Sequence, residues 1–261
     1  MNKEYFIKTP NIPTGKVSCV LVDYRINETS EMALMNQGIK VLKTAKLNSL
    51  YESVDGHPDM QIHHLGNNLF VCEKTLLSYY KNLIPDANIL PGIELCEKYP
   101  YDIAFNACRV GNFLFHYLNF TDYNILEYYK TNGVKLINVK QGYSKCSVCV
   151  INENAIITSD IKIAEKAREN GLDALFYDNT QIILKKLSKG FVGGISGLID
   201  KNTLAINGNI EKLDNSERLL YFCQMHQISI LSLYDGIPED IGSILPIKQL
   251  WCYKSQLEGE L

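Results

Sequence analysis

The feature that most constrains the fold of this chain is a repeated order of predicted elements: a strand, a tight turn, a return strand, a helix and a third short strand. The clearest copy spans residues 145–178. Two β-rich runs within it are separated by Asn152, Glu153 and Asn154, which are typical of a hairpin turn. Apolar residues then recur at helical spacing until Gly171, a residue type that commonly follows the end of a helix. The chain is therefore predicted to fold from small, similar units.

Four such units follow one another, at residues 59–90, 102–139, 145–178 and 191–233. A fifth unit is assembled from both ends, because residues 16–42 supply only a strand, a helix and a strand, and residues 241–247 supply the missing strand. A ring closed in this way leaves no exposed sheet edge. We therefore predict an α/β fold, a closed five-bladed propeller of ββαβ units around a pseudo-fivefold axis. It forms one domain over residues 1–261, and its polar tail from Lys248 onward is expected to fray.

Composition and charge exclude several classes of function. Lys and Arg number 26 and Asp and Glu 29, so the net charge of −3 lacks the basic excess of proteins that bind a nucleic-acid backbone. No apolar run approaches the roughly 18–20 residues of a membrane-spanning helix, and the N-terminal residues lack the apolar core of a secretory signal. We therefore expect a cytoplasmic protein without nucleic-acid or membrane partners, whose eight cysteines are mostly thiols.

The order of the units resembles the pentein fold, the five-bladed α/β propeller of the guanidino-group-modifying enzymes. The resemblance covers roughly residues 16–247 and is carried also by three segments: DGHPD at 55–59, QGYSKCSVC at 141–149 and YDGIPEDIGS at 234–243. It is nearest to an uncharacterised bacterial family with that fold. In the enzymes of this superfamily a cysteine near the C-terminus attacks the guanidinium carbon, a histidine moves protons, and carboxylates hold the cationic substrate. The resemblance thus implies a site that binds a guanidino compound or a similar cation.

The catalytic positions implied by the resemblance are only partly filled. The substrate-binding acid falls on Asp59, and the acid that partners the histidine falls on Asp102. The histidine itself is absent, since Tyr143 or Ser144 stands in its place. No cysteine follows the last aspartate–glycine turn, where Ser243 is the nearest nucleophile-like side chain. The resemblance therefore implies a degenerate catalytic triad.

A polar site is predicted at the centre of the propeller, where the first strand of each unit should surround the axis. In a strand, alternate residues share a face, so Asp59, Gln61 and His63 are expected to point together toward the axis. The same reasoning adds one candidate from three of the other four units, in the early strands or the turns before them: Asn106, Lys145 and Ser243. Metal binding by the histidines and aspartate of residues 57–64 is a weaker alternative, because their spacing fits no familiar zinc pattern.

Two cysteines are candidates for a relocated nucleophile. Cys108 ends a β-rich run beside Arg109, and a positive neighbour favours the thiolate. Cys146 opens a Cys-x-x-Cys with Cys149 in a predicted strand, where side chains three residues apart face opposite sides. One of these two thiols is therefore expected near the pocket and the other in the core. We predict no zinc site at this pair, no metal site and no cofactor.

These observations leave three hypotheses for function. The first is a protein that binds a small polar ligand, guanidino or amino-acid-like, without the usual triad. The second is a cysteine-dependent hydrolase or amidinotransferase-like enzyme that uses Cys108 or Cys146. The third is a non-catalytic propeller that binds other proteins. A thiol close to an imidazole in the central channel would favour the enzyme.

Overall fold

The computed structural model describes residues 3–178, 181–187 and 189–250. The strands in these residues form five separate sheets. In chain order the strands are β1 (Glu4–Phe6), β2 (Val17–Val22), β3 (Lys40–Lys43), β4 (Ile62–Gly66), β5 (Leu69–Cys72), β6 (Asn88–Pro91), β7 (Cys108–Val110), β8 (Phe113–His116), β9 (Lys135–Asn138), β10 (Val148–Asn152), β11 (Ala155–Thr158), β12 (Asp173–Phe176), β13 (Ser196–Asp200), β14 (Thr203–Ile206), β15 (Ser229–Ser232) and β16 (Leu245–Leu250).

Helices connect the strands. The α-helices are α1 (Glu28–Asn36), α2 (Pro58–Gln61), α3 (Leu77–Leu83), α4 (Tyr123–Thr131), α5 (Ser144–Ser147), α6 (Ile161–Glu169) and α7 (Ser216–Met225). Short 3-10 helices span Lys74–Leu76, Leu118–Phe120 and Ile210–Lys212. Among the described residues, no helix is long and apolar enough to cross a membrane.

Four of the sheets repeat one topology, in which two strands form an antiparallel hairpin and the third strand pairs parallel with the second. They are β4-β5-β6, β7-β8-β9, β10-β11-β12 and β13-β14-β15. A helix lies between the second and third strand of each, which is the ββαβ order predicted from the sequence. In α6, Asp160 caps the helix by accepting from the backbone N–H groups of Lys162 and Ile163, and Gly171 follows with φ +81°.

The first sheet joins the two ends of the chain, in the order β1-β16-β2-β3. The C-terminal strand does complete this unit, but β16 spans Leu245–Leu250 and not residues 241–247. The strand starts later because Gly242 and Ser243 have φ angles of +66° and +80°, which an extended strand does not allow. Lys248 lies within the strand, so the expected tail begins later, and residues 251–261 fall outside the described residues.

Short helical turns precede two of the first strands, at places where the sequence predicted extended chain. α2 begins with Pro58, whose fixed φ suits the first position of a helix. α5 contains Cys146, which was expected in a strand. Its turn is held by hydroxyl groups, since Ser144 donates to the carbonyl of Gln141 and Ser147 to that of Tyr143. These turns place polar side chains at the contact between neighbouring units.

Apolar residues fill the space between neighbouring sheets. One buried cluster combines Cys149 and Ile151 of β10 with Leu198 of β13, and another combines Leu21 of β2 with Ile62 of β4. The strands β7, β10, β13 and β16 contact one another in succession through the core. Each fully buried aliphatic or aromatic side chain stabilises the fold by about 1.5–3 kcal/mol, so this packing fixes the positions of the turns before the first strands.

Candidate functional site

Three turns that are far apart in sequence meet at one buried carboxylate. Asp59 lies in α2, Cys146 in α5 and Ser243 in the turn before β16. The Asp59 Oδ2 accepts hydrogen bonds from Cys146 Sγ at 3.1 Å and from Ser243 Oγ at 3.0 Å. All three residues are buried, with at most 3% of their surface exposed. The polar centre predicted from the repeat therefore includes Asp59 and Ser243, with Cys146 beside them.

Lys145 and Asn106 extend this network. The Lys145 ammonium donates to Ser243 Oγ at 2.8 Å, which links it to Asp59 through one hydroxyl. The Asn106 side-chain oxygen accepts from the backbone N–H groups of Lys145 and Cys146 at 2.8 and 3.2 Å. Its amide nitrogen lies 3.3 Å from Cys146 Sγ. Asn106 thus fixes the turn that carries both Lys145 and the thiol.

His57 brings an imidazole to the same place. One of its ring nitrogens, the Cys146 Sγ and an Asp59 carboxylate oxygen all lie within 4.8 Å of one another. His57 Nδ1 lies 3.9 Å from Asp240 Oδ1, which is too long for a hydrogen bond. Asp240 is held by backbone N–H groups of Phe191 and Gly242 at 2.8 and 2.9 Å. A thiol, an imidazole and two carboxylates therefore share one buried cluster.

Burial sets the protonation states in this cluster. Burial raises the pKa of Asp59 to about 6, although the Lys145 charge opposes the shift. Burial also raises the pKa of the Cys146 thiol well above its ordinary value, and the nearby carboxylates of Asp59 and Asp240 raise it further. Burial lowers the pKa of His57. At neutral pH the cluster therefore holds a protonated thiol beside a neutral imidazole.

Two atoms of the cluster have hydrogen-bonding capacity that the described residues leave unused. His57 Nδ1 and Asp59 Oδ1 are buried and have no hydrogen-bond partner among the residues that the structure describes. Most buried polar atoms in folded proteins are paired, and an unpaired one often marks a site for a ligand, a water or an ion. Both atoms are therefore available to a bound group.

A cavity of about 300 Å³ opens onto the cluster. Its lining combines polar groups, which include the thiol, with aliphatic and aromatic walls: Tyr51, Val54, His57, Tyr143, Cys146, Leu184, Leu187, Lys189, Phe191 and Asp240. This volume is at the lower end of the range for small-molecule sites. Asp59 and Lys145 line a second, much smaller cavity of about 20 Å³, which has room for one water molecule.

Asp102 is paired with Tyr143, the residue that stands where the resemblance implied a histidine. The Tyr143 hydroxyl donates to Asp102 Oδ2 at 2.6 Å, and Asp102 Oδ1 is buried without a partner among the described residues. Burial raises the pKa of Asp102, and burial and the adjacent carboxylate raise that of Tyr143. Tyr143 is therefore a neutral hydrogen-bond donor in the cavity wall, and Asp102 acts on the cavity through it.

Strand alternation does not bring Gln61 and His63 to Asp59 as predicted, although His63 and Asp59 both line the small cavity. Asp59 and Gln61 lie in the helical turn α2 and His63 in β4, so the alternation of a strand does not apply to them. Gln61 donates to two backbone carbonyls and accepts from Tyr80. His63 bridges the Phe105 carbonyl and the Tyr129 hydroxyl, and burial lowers its pKa to about 3. Both side chains hold neighbouring segments together.

Cys108 and Cys149 are core residues. Both are buried within apolar clusters, and burial raises the pKa of Cys108 to about 12. The guanidinium of Arg109 lies over the ring of Tyr129 at 5.1 Å from its centroid, so the expectation that it favours a Cys108 thiolate is wrong. The separation of Cys146 from Cys149 was predicted, although it arises from a helical turn followed by a strand.

Sequence reasoning considered His57 only as a metal ligand beside Asp59 and did not single out Asp240. Both lie in segments that carry the family resemblance, DGHPD at 55–59 and YDGIPEDIGS at 234–243. A histidine was sought before the hairpin of the 145–178 unit, whereas the structure brings His57 to the thiol from a different turn. The signal that the sequence offered is the glycine at 242, since glycine often marks a close approach of the backbone to another group. A Cβ at this glycine would lie 2.3 Å from that of His57, so only glycine permits the approach.

Several solved enzyme structures are similar to this chain over almost their entire length. An amidinotransferase of the saxitoxin biosynthetic pathway from Microseira wollei has a TM-score of 0.52 and 9% identity, over 95% of this chain and 99% of that protein. An inosamine-phosphate amidinotransferase from Streptomyces griseus has a TM-score of 0.53 and 8% identity, over 89% and 94%. DDAH from Pseudomonas aeruginosa, solved with citrulline, has a TM-score of 0.52 and 6% identity, over 90% and 100%.

These three proteins are pentein-fold enzymes that modify guanidino groups, so the resemblance to that fold is confirmed. At such low identity the likeness concerns the fold alone. No curated protein sequence matches the chain. Residues 21–245, most of the chain, match the model described as "Family of unknown function (DUF6873)". The chain therefore belongs to this family.

Proposed function

We propose that the chain binds a small guanidinium or amidinium compound in the cavity beside His57, and that Cys146 attacks its central carbon. One observation carries the proposal: the Cys146 thiol, a His57 ring nitrogen and an Asp59 carboxylate oxygen lie within 4.8 Å of one another, and the thiol and the imidazole line a cavity of about 300 Å³. Nucleophilic catalysis by cysteine requires a base close to the thiol. The alternative in which Cys146 is a relocated nucleophile thus gains support over binding alone.

The charges in the cluster favour a planar cation. Asp59 and Asp240 are both buried, and Asp59 Oδ1 is unpartnered among the described residues. A carboxylate shielded from water attracts a cation more strongly than an exposed one, and the N–H groups of a guanidinium match its two oxygens. Apolar walls formed by residues such as Phe191 and Leu184 accommodate an alkyl substituent of the ligand.

The covalent step follows from the same geometry. The Cys146 Sγ forms a bond to the central carbon, and the thiol proton passes to His57. His57 then protonates the departing amine as its C–N bond breaks, which leaves an amidino group on the sulfur. Water or an acceptor amine attacks this adduct, takes the amidino group and returns a proton to the thiol. Each step uses His57 once as base and once as acid.

The raised pKa of Cys146 is part of the proposal. Two nearby carboxylates keep the thiol protonated while the cavity holds no ligand, as burial does. A cation bound beside them offsets their charge and lowers the pKa of the thiol. Reactivity is therefore expected to depend on a cationic ligand, and a neutral compound of the same shape should react slowly.

The arrangement of the five sheets around the cluster is also part of the proposal. We infer that the five sheets close into a five-bladed propeller, because turns from the 59–90 unit, the 145–178 unit and the unit built from both chain ends meet at Asp59, Cys146 and Ser243. The partner proposed is a small molecule, with no nucleic-acid or membrane partner and a cytoplasmic location. The three structural relatives act on guanidino compounds by name or by class, and their fold supports the same substrate class here.

The proposal is tested by alkylation with chloroacetamidine, a cation, and with chloroacetamide, its neutral analogue. In each reaction the thiol sulfur displaces chloride, and peptide mass analysis measures the rate at each cysteine. Exposed Cys96 supplies the intrinsic reactivity ratio of the two reagents. We expect Cys146 to prefer the cation over this ratio by about 10- to 100-fold, which corresponds to one or two charged hydrogen bonds.

Variants separate binding from general reactivity. Asp59→Asn should remove the preference of Cys146 for the cation, and Cys149→Ser, which alters a buried thiol outside the cluster, should retain it. Equal preference at Cys146 and Cys96 would refute the proposed cation site. If guanidino compounds raise the melting temperature but Cys146 forms no adduct with chloroacetamidine, the chain binds without covalent chemistry.

A further inference from the structure

We infer that His57, Asp59 and Cys146 form a binding site for one divalent transition-metal ion, with Zn²⁺ the best match to the donors. An imidazole nitrogen, a carboxylate oxygen and a thiolate sulfur are all ligands that zinc accepts. This inference does not depend on the proposed amidino chemistry, because metal binding requires only the donors and their positions.

The spacing of the three donors is close to that of a bound zinc site. They lie within 4.8 Å of one another, and Cys146 Sγ is 3.1 Å from Asp59 Oδ2. Ligands at 2.0–2.3 Å from a tetrahedral zinc ion are about 3.3–3.8 Å apart. Side-chain rotations that shift these atoms by about 1 Å would therefore bring them into place without movement of the turns that carry them.

Unused hydrogen-bonding capacity provides the second, independent observation. His57 and Asp59 are both at least 98% buried, yet His57 Nδ1 and Asp59 Oδ1 have no partner among the described residues. Leaving such buried atoms unpaired is unfavourable, because each has lost its hydrogen bond to water. A metal ion that binds one or both of these atoms would account for them.

Neighbouring groups are positioned to support the ligands. Ser243 donates to Asp59 Oδ2 and leaves Oδ1 free, and Lys145 lies behind the serine hydroxyl. Asp240 Oδ1 lies 3.9 Å from His57 Nδ1, so a second buried carboxylate adds negative charge beside a bound cation. Binding releases one proton: the Cys146 S–H bond breaks, the proton passes to solvent, and a sulfur–metal bond forms.

The site would have an open position facing the cavity. Three protein ligands leave the fourth position of a tetrahedral zinc ion free for water or a ligand. Because His57 and Cys146 both line the 300 Å³ cavity, that position is accessible to a small molecule. A metal ion on Cys146 also occupies the sulfur lone pair, so a bound metal and an alkylating reagent compete for the same atom.

Cobalt(II) titration of the chelator-treated, full-length protein tests this inference. Co²⁺ replaces Zn²⁺ in such sites and gives a sulfur-to-cobalt absorption band in the near ultraviolet and strong visible bands when tetrahedral. We expect saturation at one Co²⁺ per chain, displacement by Zn²⁺, and a decrease of at least 10-fold in the rate at which chloroacetamide alkylates Cys146. A wild-type spectrum without the sulfur-to-cobalt band would overturn the inference. This measurement needs no variant, so it does not depend on whether a variant folds.

Variants assign the ligands. Cys146→Ser, Asp59→Asn and His57→Gln should each weaken Co²⁺ binding by at least 100-fold, and Cys149→Ser should not. Cobalt binding that survives Cys146→Ser with unchanged affinity would also refute the site. Failure of the two proposals is distinguishable, since the cation preference is measured with chelator present and the cobalt spectrum without any amidino compound.

Discussion

The hydrogen bond between Tyr143 and Asp102 gives a quantitative test of how the structure maintains a buried carboxylate. The hydroxyl donates at 2.6 Å to a carboxylate that is fully buried and whose other oxygen has no partner among the described residues. A hydrogen bond to a charged group contributes about 1.5–3 kcal/mol. Tyr143→Phe removes this donor and is expected to lower the free energy of unfolding by about 2 kcal/mol at pH 7. For a chain of this size that corresponds to about 4–8 °C in melting temperature.

The pH dependence of this loss has a definite sign. Burial raises the pKa of Asp102 in the folded protein, and the hydrogen bond from Tyr143 opposes this shift. A carboxyl group with a raised pKa contributes stability that is fully present below its unfolded pKa, about 3.9, and is lost as the pH rises through its folded pKa. Tyr143→Phe raises the folded pKa further. The variant should therefore cost more at pH 7 than at pH 4, where the protonated acid loses only a neutral hydrogen bond of about 1 kcal/mol.

Urea unfolding at pH 4, 5, 6 and 7 measures this cost as the difference in unfolding free energy between wild type and variant. Groups that titrate alike in both proteins do not contribute to this difference. Tyr99→Phe is the matched control, because Tyr99 is 43% exposed and its hydroxyl donates to the Lys140 carbonyl at a long 3.3 Å and to no carboxylate. We expect the control to change stability by less than about 0.5 kcal/mol. A Tyr143→Phe cost below about 0.5 kcal/mol, or one that does not decrease toward pH 4, would refute the reasoning.

Two further predictions concern buried histidines and one glycine. Burial lowers the pKa of His63 to about 3 and that of His116 to about 4, so the unfolded chain binds protons below about pH 6.5 that the folded chain does not. The contribution of each histidine to stability should fall as the pH decreases from 6.5 toward 4, by up to about 1.4 kcal/mol per pH unit. The cost of His63→Gln should therefore decrease toward pH 4, because the difference between wild type and variant cancels the opposite effect of buried acids such as Asp59 and Asp102; a cost that does not change over this range would contradict it. Gly242→Ala should lower the melting temperature and the cation preference of Cys146 more than Gly171→Ala does. Both glycines have positive φ, but only the first has His57 within 3 Å of an added Cβ, so equal effects in the alkylation assay would refute the close approach.

The order of elements was predictable because it is encoded locally. Hairpin turns such as Asn152 to Asn154, the helix cap at Asp160 and the glycine at 171 each act through residues within a few positions, and the structure has a hairpin, a cap and a helix end at those places. The contribution of the C-terminal strand to the first sheet was predictable from the incomplete N-terminal unit. Its start at Leu245 was not, because it depends on the positive φ angles of Gly242 and Ser243.

The sequence predicted which residues of the candidate site lie close together, but not which contacts they make. A repeat whose first strands approach one axis predicts that Asp59, Asn106, Lys145 and Ser243 lie near one another, and hydrogen bonds do join these residues. The directions of their side chains were not predictable. Helical turns replaced the expected extended chain around Asp59 and Cys146, so strand alternation failed there and Gln61 faced a different set of partners.

The sequence by itself determined the ββαβ order of the units and their number, because turn propensity, capping and hydrophobic period act over short distances. Only the tertiary structure decided which chemistry those residues form. Asp59 and Cys146 are 87 positions apart and Asp59 and Ser243 are 184 apart, and no local pattern carries the distance between them. The proximity of His57 to the thiol, and the burial that raises the pKa of one group and lowers that of the other, arise from packing between units. The same residues exposed on separate turns would be ordinary solvated side chains, since desolvation and short distances are what shift their protonation states.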